Sequence, residues 1–542
     1  MQKVLPAAEM REVDRLTTEK YGIPSLLLME NAAHAAARII IEKLGGSIEG
    51  KSFLILCSKG NNGGDGAALA RILWTQGAKV NCYLFSNVDE TKGDARVNFE
   101  ILKKRDLNDK NSLFFSEIDV LEWETEVDWT VPNVVVDALF GTGLNKALDY
   151  QLRSLADTVK RWRQSFINNR HVNKPIFISL DLPSGLNSDL AQEIGVNVHS
   201  DLTITFTAPK PANVLPPASR FNGELFTVNI GSPQELIDNS PSQLFISEKY
   251  DAIKWLDQTR FTPDSHKTKR GRALIIAGSR DMPGAASLAA NSAMESGLGL
   301  VRVATPKSAQ TVVAARTMAE CMVAGVAETE AGAISHKALD EILELSEKAD
   351  VATIGSGLTS DEETTRKLVR EFVERRKFPV VIDADGLNSL APFDLKGSDE
   401  FPIILTPHIG EMRRLFGDEA ADFSDAVKIA REFAQKHHIF LVLKGERSLV
   451  AAPDGRVVVN PTGNSALGKA GAGDNLCGII TGFLAQSYGA MGEKADVFLA
   501  VVAALYISGR AGDIAAEKIG QRTMTATDVR EFLAEAFLEF EK

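Results

Sequence analysis

The chain has 542 residues, too many for one ordinary hydrophobic core, so at least two domains are expected. Its 44% hydrophobic and 24% charged residues suit a folded globular protein, and a net charge of −12 argues against broad binding to a nucleic-acid backbone. The four cysteines, Cys57, Cys82, Cys321 and Cys477, have no CxxC spacing, which argues against a zinc site or a disulfide framework and for small buried residues.

In chain order, the opening MQKVLPAAEMREVDR lacks the apolar core of a secretory signal. Short β-branched runs then alternate with helical periodicity: SFLILC (52–57), VNCYLF (80–85), VVVDAL (134–139), IFISLDL (176–182) and LTITF (202–206). Continuously apolar strands such as VVVDAL predict a parallel sheet covered on both faces, since an exposed face would show alternation. A mixed polar stretch containing SPQELIDNSPSQ follows, and the domain boundary is placed there, as a linker over 233–265 between domains 1–232 and 266–542.

The second half again predicts α/β structure: RALIIAG (272–278), LVRVAT (300–305), VATIGSG (351–357), VVIDADG (380–386), IILTPH (403–408) and FLVLKG (440–445). SLVAAPDGRVVVN predicts a hairpin turning at Asp454-Gly455. The longest apolar stretch, Val497 to Gly509, falls short of the ~20 residues that span a bilayer, so a cytoplasmic protein without membrane spans is expected.

Three motifs in the first half put carboxylates at strand ends, the edge where parallel sheets bind ligands. NNGGDG (61–66) stands between SFLILC and the helical stretch AALARILWTQ, which Gly77 can end. Its glycines allow close backbone approach, and the helix start offers N–H groups to a phosphate. DALFGTGL (137–144) and DLPSGL (181–186) each begin with an aspartate. Asx-Gly turns and capping aspartates would account for the same residues without a ligand.

With AAEMREVDR, GIPSLLLMENAA, GNNGGDG, DALFGTGL, DLPSGL and TAPKP in order, residues 1–232 resemble the N-terminal domain of NAD(P)H-hydrate epimerases. The resemblance implies a Rossmann-like three-layer fold. It further implies that Asn61, Asn62, Gly63, Gly64 and Asp65 bind the hydrated dinucleotide together with Gly141, Thr142, Gly143, Leu144, Asn145, Lys146 and Ala147. A potassium ion would be held by Asn62, Asp137 and Ser184, whose hard oxygens suit such a cation. Asp181 would be the acid/base group acting at C6 of the hydrated nicotinamide. The chain departs from many members at Ser58-Lys59.

In NSALGKAGAGDNLCGIITGFL, a glycine-rich run leads into a helix whose apolar Leu476, Ile479, Ile480, Phe483 and Leu484 recur with helical spacing, so Asp474 stands at the helix start. Backbone N–H groups and the helix dipole there favour charge on a transferred phosphoryl group, while a plain N-capping aspartate is the alternative. MPGAASLAA, GSGL, DADGLN, TPHIGEM and LKGERS occur in the order found in ADP-dependent NAD(P)H-hydrate dehydratases, and residues 266–542 resemble that ribokinase-like family. A lone histidine or a solvated strand-end lysine would explain His408 or Lys444 taken singly.

The second resemblance implies that Gly357, His408, Ile409, Gly410, Glu411, Met412 and Arg413 contact the hydrate. ADP would lie on Lys444, Gly445, Glu446, Arg447 and Ser448, and on Asn464, Ser465, Ala466, Leu467, Gly468, Lys469, Ala470, Gly471, Ala472 and Gly473. Asp474 would be the catalytic base, with Mg2+ on the nucleotide phosphates. Lys469 and Asn475 replace the threonine and valine common near GAGD.

The expected function is therefore nicotinamide nucleotide repair. R and S hydrates of NADH and NADPH are interconverted, and the S hydrate is dehydrated with ADP, giving AMP and phosphate. The partners are small molecules, and the family suggests a small homo-oligomer. A kinase of a vitamin-precursor alcohol fused to a non-catalytic Rossmann-like binding module is the second reading.

Overall fold

The computed structural model describes residues 1–104, 112–119, 123–148, 150–168, 174–417 and 423–541. It divides into two compact units, one of Lys3–Ser242 and one of the residues from Gln243 on together with Met1–Gln2.

The first unit is built on seven parallel strands: β1 (Ser52–Cys57), β2 (Lys79–Leu84), β3 (Leu113–Glu117), β4 (Val134–Ala138), β5 (Ile176–Leu180), β6 (Leu202–Phe206) and β7 (Glu224–Val228). Their order is β3-β2-β1-β4-β5-β6-β7. The main helices are α1 (Ala7–Tyr21), α2 (Ser25–Lys43), α3 (Asn61–Thr75), α4 (Gly93–Lys103) and α5 (Tyr150–Asn168). Alternation along β1 sends Phe53, Ile55 and Cys57 into a core with α2, α3 and α4, and Leu54 and Leu56 into a second core with Leu155 and Val159 of α5. Both faces are thus covered, which is why these strands are apolar throughout.

NNGGDG is not a loop ahead of α3 but its first turns, because the helix starts at Asn61. None of its glycines has a positive φ. Instead they clear space: a Cβ on Gly63 would lie 1.7 Å from the Ser58 carbonyl oxygen, and one on Gly66 2.7 Å from Cys57 Sγ. The helix start is pressed directly against the end of β1.

The second unit carries β8 (Leu244–Ile246), β9 (Arg272–Ile276), β10 (Leu300–Pro306), β11 (Met322–Val326), β12 (Val351–Ile354), β13 (Val380–Ile382), β14 (Ile403–Leu405), β15 (Phe440–Leu443), β16 (Leu449–Ala451) and β17 (Val457–Val459). Together with the two-residue strand Gln2–Lys3, which flanks β8 at the edge, they form one sheet in the order β8-β17-β16-β15-β14-β13-β12-β9-β10-β11. The pairings are parallel except for β15–β16 and β16–β17, the hairpin expected at Asp454-Gly455, where Gly455 has φ 94°. The helices that matter below are α6 (Lys249–Gln258), α7 (Pro283–Glu295), α8 (Ala384–Ser389), α9 (Ile409–Phe416), α10 (Ala472–Met491) and α11 (Val497–Ile519).

Two expectations need correcting. The division at Ser242–Gln243 falls within 233–265, but that stretch is folded rather than a linker: Gln234–Asp238 is helical, β8 joins the second sheet beside β17, and α6 buries Trp255, which stacks on Phe483 of α10 at 3.8 Å. The apolar stretch beginning at Val497 does not stop at Gly509. Arg510 interrupts the apolar run but not the helix, and the 23-residue α11 is long and apolar enough to cross a membrane. Of its most apolar window, 83% is buried inside the protein, so its hydrophobicity is spent on the core.

Helices α7 and α10 cross at glycine. A Cβ on Gly478 would lie 2.2 Å from the Ala289 carbonyl oxygen, closer than any real contact allows. Gly478→Ala should therefore lower the stability of this unit by about 1–3 kcal/mol through overpacking. Urea unfolding followed by tryptophan fluorescence checks it, and an unchanged midpoint would show that the helices can separate freely.

Candidate active sites

In the first unit the motif residues surround a cavity of about 970 Å³. Strand β5 ends at Leu180, and Asp181 turns out of it with φ 64°, a left-handed conformation that a residue with a side chain adopts only when its surroundings impose it. Its Oδ1 is ion-paired with Lys210, which is 1% exposed, and accepts from Thr205 Oγ1 at 3.2 Å. Lys210 Nζ also donates to Thr205 Oγ1 at 2.9 Å and to the Phe206 carbonyl at 3.0 Å. All three ammonium hydrogens are engaged, as burial of a cation requires. Thr207, with φ 66°, lines the same cavity.

Gly141 brings the other motifs to Asp181. A Cβ there would meet Asp181 Oδ2 at 2.9 Å and Asn62 Cγ at 3.5 Å. Asn61, Asn62, Asp65, Gly141, Thr142 and Gly143 line the cavity, whereas Gly63 and Gly64 pack against Ser58 and Ala95, and Leu144, Asn145, Lys146 and Ala147 do not line it. The first backbone bond of α3 is Gly64 N–H to the Gly60 carbonyl at 3.0 Å, so the amides of Asn61, Asn62 and Gly63 precede the helical ladder. Asp14 of α1, whose side chain reaches solvent, also lines the cavity, and the protein atoms crowded around it lift its carboxyl to about 6, against the pull of Lys210.

Asp137, the last residue but one of β4, is buried and does not line the cavity. Oδ1 accepts from Ser184 Oγ at 2.6 Å and Leu139 N at 3.2 Å; Oδ2 accepts from Ser179 Oγ at 2.8 Å and Ser184 N at 2.9 Å. Burial raises its carboxyl, and these donors from Ser184, Ser179 and Leu139 partly offset the rise. Asn62 is different: it is 8% exposed, and neither its amide nitrogen nor its carbonyl oxygen has a partner.

In the second unit the C-terminal ends of β12, β13, β14 and β15 converge on the start of α10. Gly471 caps that helix with φ 85°, and no side chain bonds to its amides, so Asp474 in the first turn is not a cap. The ladder begins with Asn475 N–H to the Gly471 carbonyl at 3.0 Å, leaving Gly473 and Asp474 N–H ahead of it. Lys444 is no solvated strand-end charge. Its Nζ lies 2.7 Å from Asp383 Oδ1 and 4.0 Å from Glu411 Oε2, and a Cβ on Gly473 would touch it at 3.4 Å. Burial alone would lower the Lys444 ammonium, but the Asp383 carboxylate outweighs this and raises it. Burial likewise raises the Asp474 carboxyl, reinforced by Asp383 and Asp385 and opposed by Ser356 and Lys444.

Other predicted residues are occupied elsewhere. His408 caps α9: Nδ1 accepts from Gly410 N at 2.9 Å and Glu411 N at 3.3 Å, while Glu411 Oε2 accepts from His408 N at 2.8 Å. Met412 is fully buried, Ile409 is exposed, and Arg413 stacks on Phe423. Gly357, with φ 66°, abuts Ala285 and Met282. Arg447 donates to the Pro461 carbonyl, Ser448 O accepts from Asn460 N at 2.9 Å, Asn464 donates to the Gly512 carbonyl at 2.9 Å and to Asp513 at 3.0 Å, and Lys469 donates to the Arg522 carbonyl at 2.8 Å and to that of Met524. Asn475 accepts from Ser292 Oγ at 2.8 Å and donates to the Ala526 carbonyl. Among the described residues no group of three or more His, Cys, Asp or Glu is arranged to hold a metal.

Two residues without a predicted role are central. Lys210 belongs to TAPKP and Asp383 to DADGLN, both of them quoted as motifs, yet their partners lie 29 and 61 positions away along the chain. The strand-end position of Asp383 was the available signal.

The fold and sites thus define a two-site α/β enzyme, with an acidic ligand cavity in one unit and a phosphate-type helix start beside a lysine in the other. A family model described as NAD(P)H-hydrate dehydratase matches residues 273–535, and one described as YjeF-related protein N-terminus matches residues 25–212. The bifunctional NAD(P)H-hydrate repair enzyme Nnr of Moorella thermoacetica is 39% identical over 98% of this chain and 96% of its own. That of Thermofilum pendens is 34% identical over 98% and 96%. An ADP/ATP-dependent NAD(P)H-hydrate dehydratase from Bacillus subtilis, co-crystallised with ATP/Mg2+, is 29% identical, covering 55% of this chain and 98% of its own with a TM-score of 0.47. The chain belongs to the family of bifunctional NAD(P)H-hydrate repair enzymes. Its architecture is accordingly a Rossmann-like three-layer domain followed by a ribokinase-like α/β domain. These relatives match the repair reading of the sequence and not the kinase reading.

Removing one partner of a buried ion pair strands the other charge. Lys210→Met should cost the first unit about 3–5 kcal/mol, measured by urea unfolding, and adding Asp181→Asn should recover part of it. Equal stability of Lys210→Met and the parent would mean that the pair is solvated.

Proposed function

We propose that the chain repairs hydrated nicotinamide nucleotides, with epimer exchange in the Lys3–Ser242 unit and dehydration of the S hydrate by ADP in the unit from Gln243 on. The observation that carries this reading is that two chemically distinct sites occur in one chain of this family: the Asp181–Lys210 cavity, and the start of α10 with Asp474 and Lys444. Their products connect, because hydration yields both epimers and dehydration takes one.

At the second site Asp474 takes the proton of the C6 hydroxyl as that oxygen attacks the β-phosphoryl group of ADP, and AMP leaves. The amides of Gly473 and Asp474 and the Lys444 ammonium stabilise the charge on the transferred group. Phosphate then departs from C6, driven by the ring-nitrogen lone pair, and loss of a proton from C5 restores the dihydronicotinamide. Mg2+ bound with the nucleotide would neutralise its phosphates.

At the first site Asp181 moves a proton at the C6 oxygen, and the unpartnered Asn62 amide is available to the ligand. The resemblance-based potassium site fits in part. Asn62 offers a free oxygen, but the four acceptor positions of Asp137 are filled, two of them by Ser184. Holding K+ there would require Ser184 to turn its hydroxyl hydrogen away.

Purified protein given mixed NADH hydrates should interconvert the epimers without nucleotide and recover reduced nicotinamide absorbance with ADP. No recovery with either ADP or ATP excludes the repair assignment. Asp474→Asn should abolish dehydration and leave epimer exchange, and Asp181→Asn should do the reverse; loss of both reactions in either folded variant excludes separate sites. Because the base must be ionised, dehydration should fall with decreasing pH from above the ordinary carboxylate range, since burial raises Asp474. A kcat/KM profile flat down to pH ~4 would contradict that role.

A further inference from the structure

Asp65 stands three residues after Asn62, on the same face of α3, and both line the cavity that holds Asp181. Its carboxyl forms no hydrogen bond or ion pair among the described residues, unlike those of Asp181 and Asp137. Around it the wall is built for a polar ligand: Asn62 and Thr207, 8% and 4% exposed, both line the cavity and have buried polar atoms without partners. The ionisable groups acting on Asp65 are Asp14 from α1, Asp181 after β5 and Lys210 after β6; Cys57 lies beneath it in β1, and Asp94 at the start of α4 shares the cavity wall. Lys210 is already committed to Asp181.

Resting on the epimerase reading, we propose that Asp65 is the second proton-transfer group of this site, acting beside Asp181. Two carboxylates on one cavity wall in different surroundings are the arrangement by which acid and base roles are commonly divided. Asp181 is ion-paired with Lys210, whereas Asp65 has no cation of its own. Asp65 is the protonated member: burial, with repulsion from Asp181 and Asp14, holds it well above the ordinary carboxylate range against the weaker pull of Lys210.

The step balances as follows. The Asp65 acid gives its proton to the C6 hydroxyl; the C6–O bond breaks, its electron pair leaving with water, and the ring-nitrogen lone pair forms the N1=C6 iminium. A water molecule adds to the opposite face of C6, and Asp181 takes its proton. Reaction of the other epimer runs the same sequence backwards, starting with the proton on Asp181, and exchange with solvent returns it between turnovers.

The test uses the full chain and NADH hydrates separated by chromatography. Asp65→Asn should lower kcat for epimer exchange by about 100-fold or more with KM little changed, while Asp65→Glu restores part of the rate. The alkaline fall in wild-type exchange should vanish in Asp65→Asn, and the infrared C=O absorption of protonated carboxyls at neutral pH should be weaker in Asp65→Asn than in wild type by the contribution of one carboxyl. A urea-unfolding midpoint of the Lys3–Ser242 unit equal to that of wild type shows that this unit is folded in the variant, and ADP-dependent dehydration of the S hydrate shows the same for the other unit. Exchange within ten-fold of wild type, a loss confined to KM, or an infrared band identical in both proteins overturns the proposal. If the wild type dehydrates but does not exchange epimers, the epimerase reading itself fails, whatever the infrared spectrum shows.

Discussion

Both sites depend on helices approaching closer than side chains normally permit. At the start of α3, Gly63 and Gly66 let the helix rest on the end of β1; at α10, Gly478 lets it rest on the backbone of α7, with Gly473 beside Lys444. With ordinary side chains there, each helix would be lifted away by a distance comparable to a hydrogen bond. The unbonded amides at its start would then no longer share a wall with the strand-end carboxylates. The glycines thus serve packing first, and the chemistry follows from where packing leaves the helix ends.

The same closeness imposes an electrostatic cost that each unit offsets with one lysine. Lys210 faces Asp181 and Lys444 faces Asp383, in both cases with a carboxylate oxygen on the ammonium and a further acid nearby that has no cation of its own. Burial raises Asp65 in one site and Asp474 in the other. Each site therefore combines a neutralised carboxylate with one whose protonation is shifted, which is the division of labour that proton transfer needs.

Much of this layout is legible in the residues. LTITF is a strand over its whole length, and the continuous apolar runs correctly imply a sheet covered on both faces. The predicted strands ending in LDL, GSG, DADG and KG run too long, because those residues turn out of the sheet to form the sites. Strands β3, β7 and β11 carry no clear signal; each lies at a sheet edge, half-buried, where a continuous apolar run is not required. His408 shows the opposite difficulty. A motif histidine looks chemical, but accepting from helix amides two and three residues further on makes it a cap. Lys210 and Asp383 were hidden because a buried ion pair is defined by a partner distant in sequence.

The short strand β8 bears on how the second unit can form. It pairs with β17, and Ser247 bonds Asn460 at a sequence separation of 213, so this contact closes around nearly the whole of the remaining sheet. Such a long closure makes the pairing a late, slow event in folding. Until β17 arrives, the edge of β8 that it will pair with carries unbonded N–H and C=O groups, and on a ribosome that interval lasts through the synthesis of β9 to β16.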